Sequence, residues 1–280
     1  MAQQSPPIAR AVAVLNFLGG HTGQAFTLTE ISKALRISSA TCHNLLGALT
    51  ESGYVYRTAA KTYVLGPAVC RLAEGALAPE LLMQVVRPEM RQLADEFDVV
   101  CSVFFLDGEK VIVRERAVAL SHVAWSAPGK PVLSLTAPLG NLFLAWDEAQ
   151  VDDWLNGANP ALGAEARVVL RKSLEFVRQH RYAFGVRKVP LDGSERALEL
   201  QAQVGKTDYA LTEIDPAADY NLAYVAAPVF RQPDQVAFGL SLVGFDKPLK
   251  GAAVAAMGAK LRTVCDRLGD FLAGRAFPMP

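Results

Sequence analysis

TLTEISKALRISSATCHNLLGAL, residues 27–49, decides the reading of this chain, because it spells two short helices joined by a tight turn. Thr27 followed three residues later by Glu30 is a capping box, in which a hydroxyl and a carboxylate satisfy the free N–H groups of a helix start. Leu28, Ile31, Ala34 and Leu35 then fall on one apolar stripe of a two-turn helix. Arg36, Ile37 and Ser38 are too few to do anything but turn. Cys42, Leu45, Leu46 and Leu49 give a second stripe of the same spacing and leave Ser39, Thr41, His43, Asn44 and Gly47 on other faces. A helix anchored on one side and polar on the other is the second helix of a helix-turn-helix, which enters the DNA major groove. The stripes alone also fit an ordinary helical hairpin whose polar face meets only water.

The neighbouring segments favour the first of these. Residues 54–65, YVYRTAAKTYVL, are two β-branched and aromatic runs around a small polar turn from Thr58 to Lys61, which predicts a hairpin. Helix, helix-turn-helix and hairpin in that order make a winged helix, with Arg57 and Lys61 on the wing where phosphates would lie. Upstream, Pro7 suits a first helical turn, and Ile8, Ala11, Val12 and Leu15 place an apolar face along residues 7–18, closed by Gly19 and Gly20. Residues 1–6 are expected to be disordered, and Gly53 to close the recognition helix. From Gly66 onward, Val69, Leu72, Ala73 and Ala76 predict a linker helix, and Pro79 either ends it or starts the next. Its stripe suits a contact between subunits or a packed linker. Pro88 is expected at the first position of a further helix. The domains expected are 1–66, a linker over 67–80, and 81–280.

Beyond the linker, VVCSVFFLDGEKVIVRERAV carries Asp107-Gly108 between β-rich runs, a strong hairpin signal. Strands are expected at Ser121–Trp125 and Val132–Leu135, and helices over 139–146, 147–156 and 165–180, the last on the stripe Ala166, Val169, Leu170, Leu174 and Val177. AYVAAPVF and VAFGLSLVG flank the turn RQPDQ as a second hairpin. Leu249–Leu272 reads as one long amphipathic helix through Val254, Met257, Leu261, Val264, Leu268 and Phe271. Paired strands with helices between and after them predict an antiparallel sheet covered by helices, an α+β domain.

Composition permits this reading without demanding it. The chain has 280 residues, enough for two cores, and a formal net charge of zero. Up to Gly66, Arg10, Lys33, Arg36, Arg57 and Lys61 face only Glu30 and Glu51, a mildly basic head on a mildly acidic body. Cys42, Cys70, Cys101 and Cys265 form no C-x-x-C pair and sit in apolar contexts, so buried free thiols of a reducing compartment are expected. The N-terminus lacks signal-peptide architecture, and no apolar run approaches the roughly 18 residues that span a bilayer. A cytoplasmic protein without membrane partners is expected, and no residue pattern calls for a metal or cofactor.

Taken together, SPPIARAVAVLNFL (5–18), LTEISKALRISSATCHNLLGALTESGYV (28–55) and YVLG (63–66) resemble the DNA-binding half of IclR-type bacterial transcriptional regulators. The likeness continues through RPEMRQLADEF (87–97), VFFLDGEKVIVRER (103–116), GNLFLAW (140–146), AYVAAPVF (223–230) and GLSLVG (239–244). It weakens between Gly185 and Asn221, where this chain carries a longer link that could hold an extra helix near Ala197–Gln203 or a lid. The resemblance implies a winged helix-turn-helix joined by a linker helix to a GAF-like or PAS-like effector domain. It also implies a homodimer or homotetramer on operator DNA, with repression more usual than activation.

Candidate site residues follow on both halves. Asn44 can donate to and accept from one adenine edge, while Ser39, Thr41 and His43 can bond bases or phosphates. The family commonly carries lysine near position 39 and arginine at 44, so Ser39 and Asn44 imply a weaker phosphate grip and a different operator, with more left to Arg10, Arg36, Arg57 and Lys61. On the effector side the resemblance implies a pocket between sheet and helix. Gly140 would offer backbone N–H groups to an acidic ligand at a helix start, with Ala137, Pro138 and Leu139 beside it and Ser241 as a polar wall. Val243 and Tyr224 make this pocket less polar than is usual, which favours an aromatic or otherwise apolar carboxylate. Trp125, Phe104 and Tyr224 fit plain core equally well. Glu213, Asp215 and Asp219 are candidates for an acidic residue before the late strand, Asp215 being taken as the site residue. Two other functions stay open. The chain lacks H-E-x-x-H, G-x-S-x-G and G-x-G-x-x-G, and Ser121-His122 is a bare dipeptide. A hydrolase or isomerase with a helical extension could still assemble its groups in space, and an effector-blind DNA-binding protein is the second alternative.

Overall fold

Capping and turn chemistry place the first elements of the chain, which we describe from a computed structural model covering residues 5–21, 23–76, 79–125, 132–135, 137, 140–158, 161–187, 209–210 and 213–274. The expected helix near 197–203, together with Pro138 and Leu139, lies outside these residues. The chain divides into two compact units, residues 1–83 and 84–280.

The first unit opens with α1 (Pro6–Gly19), a short strand β1 (Phe26–Thr27) and α2 (Leu28–Leu35). The capping box forms as the spacing predicts: the Thr27 amide donates to Glu30 Oε2 at 2.7 Å and the Glu30 amide to Thr27 Oγ1 at 3.3 Å. These bonds also hold the Glu30 carboxyl below its usual pKa. Arg36 ends α2 in the left-handed region, at φ 54°. After this three-residue turn Ser38 caps α3 (Ser39–Glu51), its hydroxyl accepting from the Thr41 amide at 3.1 Å. Gly53, at φ 76°, then lets the chain leave the helix. The wing follows as β2 (Val55–Arg57) and β3 (Thr62–Leu65), and β1 adds to β3 to give a three-stranded sheet in the order β1-β3-β2. That added strand was invisible in two residues of sequence.

Val14, Leu18, Ile31, Cys42, Leu46, Val55 and Tyr63 form the core here. Two expected stripes are rotated from their predicted positions. In α1 the buried residues are Val14 and Leu18, whereas Ile8 and Val12 are 66% and 49% exposed. In α2, Ser32 takes the inward place assigned to Ala34, because its hydroxyl donates to the Ile37 carbonyl at 2.7 Å and ties the turn to the helix. The linker helix α4 (Ala68–Ala76) half-buries Val69 of its expected stripe and leaves Leu72 and Ala73 exposed. The reading of four buried cysteines also needs correction: Cys42, Cys101 and Cys265 are buried, Cys70 is exposed.

α5 (Pro79–Phe97) runs without a break through Pro88, where the sequence predicts a fresh start. Proline removes one helical hydrogen bond and crowds the preceding turn. Val86, Met90, Leu93 and Ala94, all buried, hold the helix through that defect. The second unit is built on a seven-stranded, wholly antiparallel sheet of β4 (Val100–Asp107), β5 (Lys110–Val118), β6 (Val132–Ser134), β7 (Ala183–Val186), β8 (Tyr209–Ala210), β10 (Leu222–Gln232) and β11 (Gln235–Val243). Their order is β6-β5-β4-β11-β10-β7-β8, and a two-stranded ribbon pairs β9 (Asp219–Tyr220) with β12 (Leu249–Lys250). Both predicted hairpins form. The stretch Ser121–Trp125, expected as a strand, lies instead in a 3-10 helix over Leu120–Trp125.

Helices cover both faces of this sheet. α6 (Asn141–Leu144), α7 (Glu148–Asn156) and α8 (Ala164–His180) share one core with Ala183, Ala226 and the partly buried Phe104 and Tyr224. The buried face of α8 includes Ser173 and Phe176, while Val169 of the expected stripe is exposed. α9 (Gly251–Leu272) runs along β10 and buries Val254, Met257, Leu261, Val264 and Leu268 as its periodicity predicts. Ion pairs from Lys260 to Glu96, at 3.2 Å, and from Arg267 to Glu89, at 2.5 Å, join α9 to α5.

Candidate functional site

α3 is held by Cys42 and Leu46 and presents Ser39, Ala40, His43, Asn44, Gly47 and Ala48 to solvent. These positions lie on one face of the helix. Thr41 stands partly aside from them, its hydroxyl sharing a 2.8 Å hydrogen bond with the Ser38 cap. A Cβ added at Gly47 would meet nothing within 4 Å, so the middle of the face is flat and open. Arg36 sits at the turn before α3. Arg57 and Lys61 flank the wing tip, where Lys61 takes φ 60°. The Arg57 guanidinium lies over the Tyr63 ring at 5.9 Å. Arg10 is exposed on α1. The sequence-predicted DNA residues are therefore all on the surface of one small unit, apart from the half-buried Thr41.

The effector residues are distributed less evenly. Ser241 of β11 stands in register with Ala226 of β10 on one side and Ser102 of β4 on the other, and Ser102 is in register with Arg116 of β5. Directly opposed residues of antiparallel strands point to the same face. Phe104, two residues from Ser102, meets Phe143 of α6 with ring centroids 5.7 Å apart. This row therefore faces the α6–α8 side. Ser102 is buried, and burial draws the half-buried Arg116 guanidinium below its ordinary pKa. Neither residue stood out in the sequence, because the face of each was unknown until the register was. Glu115, adjacent to Arg116, pairs instead with Arg87 at 2.6 Å. Arg116 also borders an open groove of about 490 Å³ between α5 and β5, alongside Arg87 and Arg91.

Tyr224 lies over Gly185, where an added Cβ would come within 2.4 Å of its ring, and burial pushes its phenol up to about 12. Its hydroxyl shares a hydrogen bond with the Asn141 side chain. Gly140, at φ 99°, precedes α6, but that helix has four residues rather than the expected eight, too few to sum a strong dipole. Leu135 also closes over Gly140, its Cδ1 2.2 Å from where a Cβ would be. Ala137 is partly buried beside the same core, and Trp125's side chain lies outside the described residues. Asp215 is exposed, its carboxylate accepting from the Ala217 amide at 2.9 Å while its carbonyl abuts Gly251 at the start of α9. It forms a turn rather than joining the polar row, and Asp219 pairs with Lys250 at 2.7 Å.

Ser121-His122 turns out not to be bare. Ser121 Oγ donates to Asp98 and lies 2.7 Å from His122 Nδ1, while His122 Nε2 meets the Gly244 carbonyl at 3.0 Å. Serine and aspartate thus crowd one imidazole nitrogen and a main-chain carbonyl occupies the other. A serine nucleophile needs the base between hydroxyl and carboxylate, so this trio is not wired for acyl transfer.

A winged helix with an exposed second helix, joined to a helix-covered antiparallel sheet, defines a DNA-binding regulator class. Residues 7–59 match the model of the IclR helix-turn-helix domain, and the chain is similar to DNA-binding transcriptional regulators of the IclR type. It is 29% identical over 180 residues to the HTH-type transcriptional regulator TtgV of Pseudomonas putida, covering 61% of this chain and 67% of that one. To KipR of Bacillus subtilis, another HTH-type transcriptional regulator, it is 23% identical over 88% of each. It shares the fold of the Agobacterium tumefaciens repressor BlcR, with TM-score 0.59, 17% identity, and 96% of this chain and 97% of that one covered. The fold likeness to Pseudomonas aeruginosa HmgR has TM-score 0.56, with 20% identity over 95% and 98% of the two chains. Among the described residues no helix is long and apolar enough to cross a membrane.

Proposed function

We propose that the chain is a repressor that reads a partly palindromic operator as a homodimer or homotetramer and responds to a small apolar, and by preference aromatic, carboxylate. Residues 1–66 act as the DNA-reading domain, 67–80 as linker, and 81–280 as the effector-binding and oligomerising domain. The observation that carries this reading is the uncovered polar face of α3, anchored on its opposite side by Cys42 and Leu46. Asn44 and His43 reach base edges, Ser39 and the hydroxyl of Thr41 bond at the helix start, and Arg10, Arg36, Arg57 and Lys61 neutralise phosphates. Exposed Ile8, Val12 and Leu72 are apolar area that a second copy would cover.

On the effector side, the row Arg116, Ser102, Ser241 supports a carboxylate. A guanidinium and two hydroxyls are drawn onto a face otherwise lined by Phe104, Phe143 and Tyr224. The ligand acts by binding two arrangements of the second domain unequally, so that the spacing of paired recognition helices changes.

Binding-site selection tests the DNA half. Asn44→Ala is expected to relax base preference at one position per half-site, by about 1 to 3 kcal/mol; an unchanged selected sequence removes Asn44 from the reading role. For the effector half, Ser241→Leu fills the row. It is expected to abolish both ligand-induced thermal stabilisation and ligand-induced DNA release, and survival of both puts the ligand elsewhere.

A further inference from the structure

Arg87 and Arg91 stand one turn apart on α5, a spacing that brings Cβ atoms to about 5 to 6 Å. Like charges so placed destabilise a helix unless opposite charge lies nearby. For Arg87 that is Glu115 of β5, which accepts from its Nε at 2.6 Å and leaves both Nη groups without a partner among the described residues. Arg91 meets no carboxylate among the described residues, its Nη1 donating instead to the Val118 carbonyl at 2.7 Å. Both arginines are exposed and line the groove of about 490 Å³ between α5 and β5, with Gln84, Pro88, Glu115 and Ala117. Pro88 lies between them and cannot donate to the Gln84 carbonyl, so this turn of α5 is short of one helical hydrogen bond. Glu115 points to the opposite side of β5 from Arg116, which puts the groove on the α5 side of the sheet, away from the hydroxyls of Ser102 and Ser241.

We propose that this groove is a second ligand site, which takes a small oxyanion, a carboxylate or a phosphate, between the guanidinium groups of Arg87 and Arg91. Planar guanidinium forks bind carboxylate and phosphate oxygens in pairs. Glu115 offsets one of the two like charges on α5, and the ligand offsets the other. Spanning the arginines on either side of Pro88, it also braces the turn that the proline weakens. The site is separate from the effector row and does not depend on it.

Calorimetric titration of the full chain tests this with glutarate, methyl phosphate and the uncharged glutaramide, at one ionic strength set with chloride and at an alkaline pH where both acids are fully ionised. At least one of the two anions is expected to bind and glutaramide not to, the tighter anion naming the source of the oxygens. Arg91→Gln is expected to weaken binding by about tenfold or more. Gln84→Trp, a bulky ring placed into the groove from an exposed position, is expected to do the same while the thermal transition stays at the wild-type temperature. Ser241→Leu is expected to leave the affinity unchanged. Bound anion is also expected to slow amide hydrogen exchange over residues 84–91. Binding that survives both Arg91→Gln and Gln84→Trp overturns the proposal, as does binding lost in Ser241→Leu, which assigns the anion to the effector row. No binding of either anion at millimolar concentration overturns it too. If Arg91→Gln changes the mass of the unliganded particle in light scattering, the groove is a contact between copies and the proposal falls.

Discussion

Gly66→Ala is expected to unfold the DNA-binding unit selectively and abolish operator binding. An alanine Cβ at this position would lie 2.2 Å from the Gly53 carbonyl oxygen and 2.9 Å from its carbon, both main-chain atoms that cannot rotate away. Gly53 itself holds φ 76° to turn the chain out of α3, and the Gly66 amide donates to the Tyr54 carbonyl at 2.8 Å. The two glycines therefore clasp the end of the recognition helix to the end of the wing. Separating them displaces β3 from the core that Val55 and Tyr63 share with Leu46. Overpacking against backbone costs about 3 kcal/mol or more, a large part of what a unit of this size has in reserve. Scanning calorimetry should show a low-temperature transition split from that of the second unit, and gel shift should show no complex. A single transition at the wild-type temperature would mean that the clasp is not needed.

The second large effect is expected at Phe238, fully buried on β11 in the middle of the seven-stranded sheet. Its ring lies 5.3 Å from that of Phe105, and it is in register with Val229 of β10. Phe238→Ala should lose about 3 to 5 kcal/mol, the transfer free energy of the ring plus the cavity it leaves. Because β11 also carries Ser241, ligand-induced stabilisation should fall with it, while an isolated DNA-binding unit, if prepared, would melt as before. Urea titration gives the magnitude; a loss below about 1 kcal/mol would mean that neighbouring side chains collapse into the space.

Local signals in the chain were sufficient wherever the deciding interactions lie within a few residues of one another. The capping box at Thr27, the three-residue turn, the exit at Gly53, both hairpins of the second unit and the length of α9 are all of this kind, because a cap or turn is satisfied by its own neighbours. So was the pattern of small polar residues on α3. The order of such segments carried the resemblance and, with it, the two-part organisation.

What sequence could not determine was which way side chains face once elements meet. Burial of α1 falls on Val14 and Leu18 rather than on Ile8 and Val12, since only the wing and α2 decide which stripe is covered. Pro88 is carried inside a helix because distant apolar contacts outweigh a local defect. Most of all, the row Arg116, Ser102, Ser241 and the pairing of Asn141 with Tyr224 arise from strand register and from α6 lying on the sheet. Residues up to about 140 positions apart in sequence are brought to one face by pairings that no local propensity encodes, and a slip of one residue would have turned each to the other side.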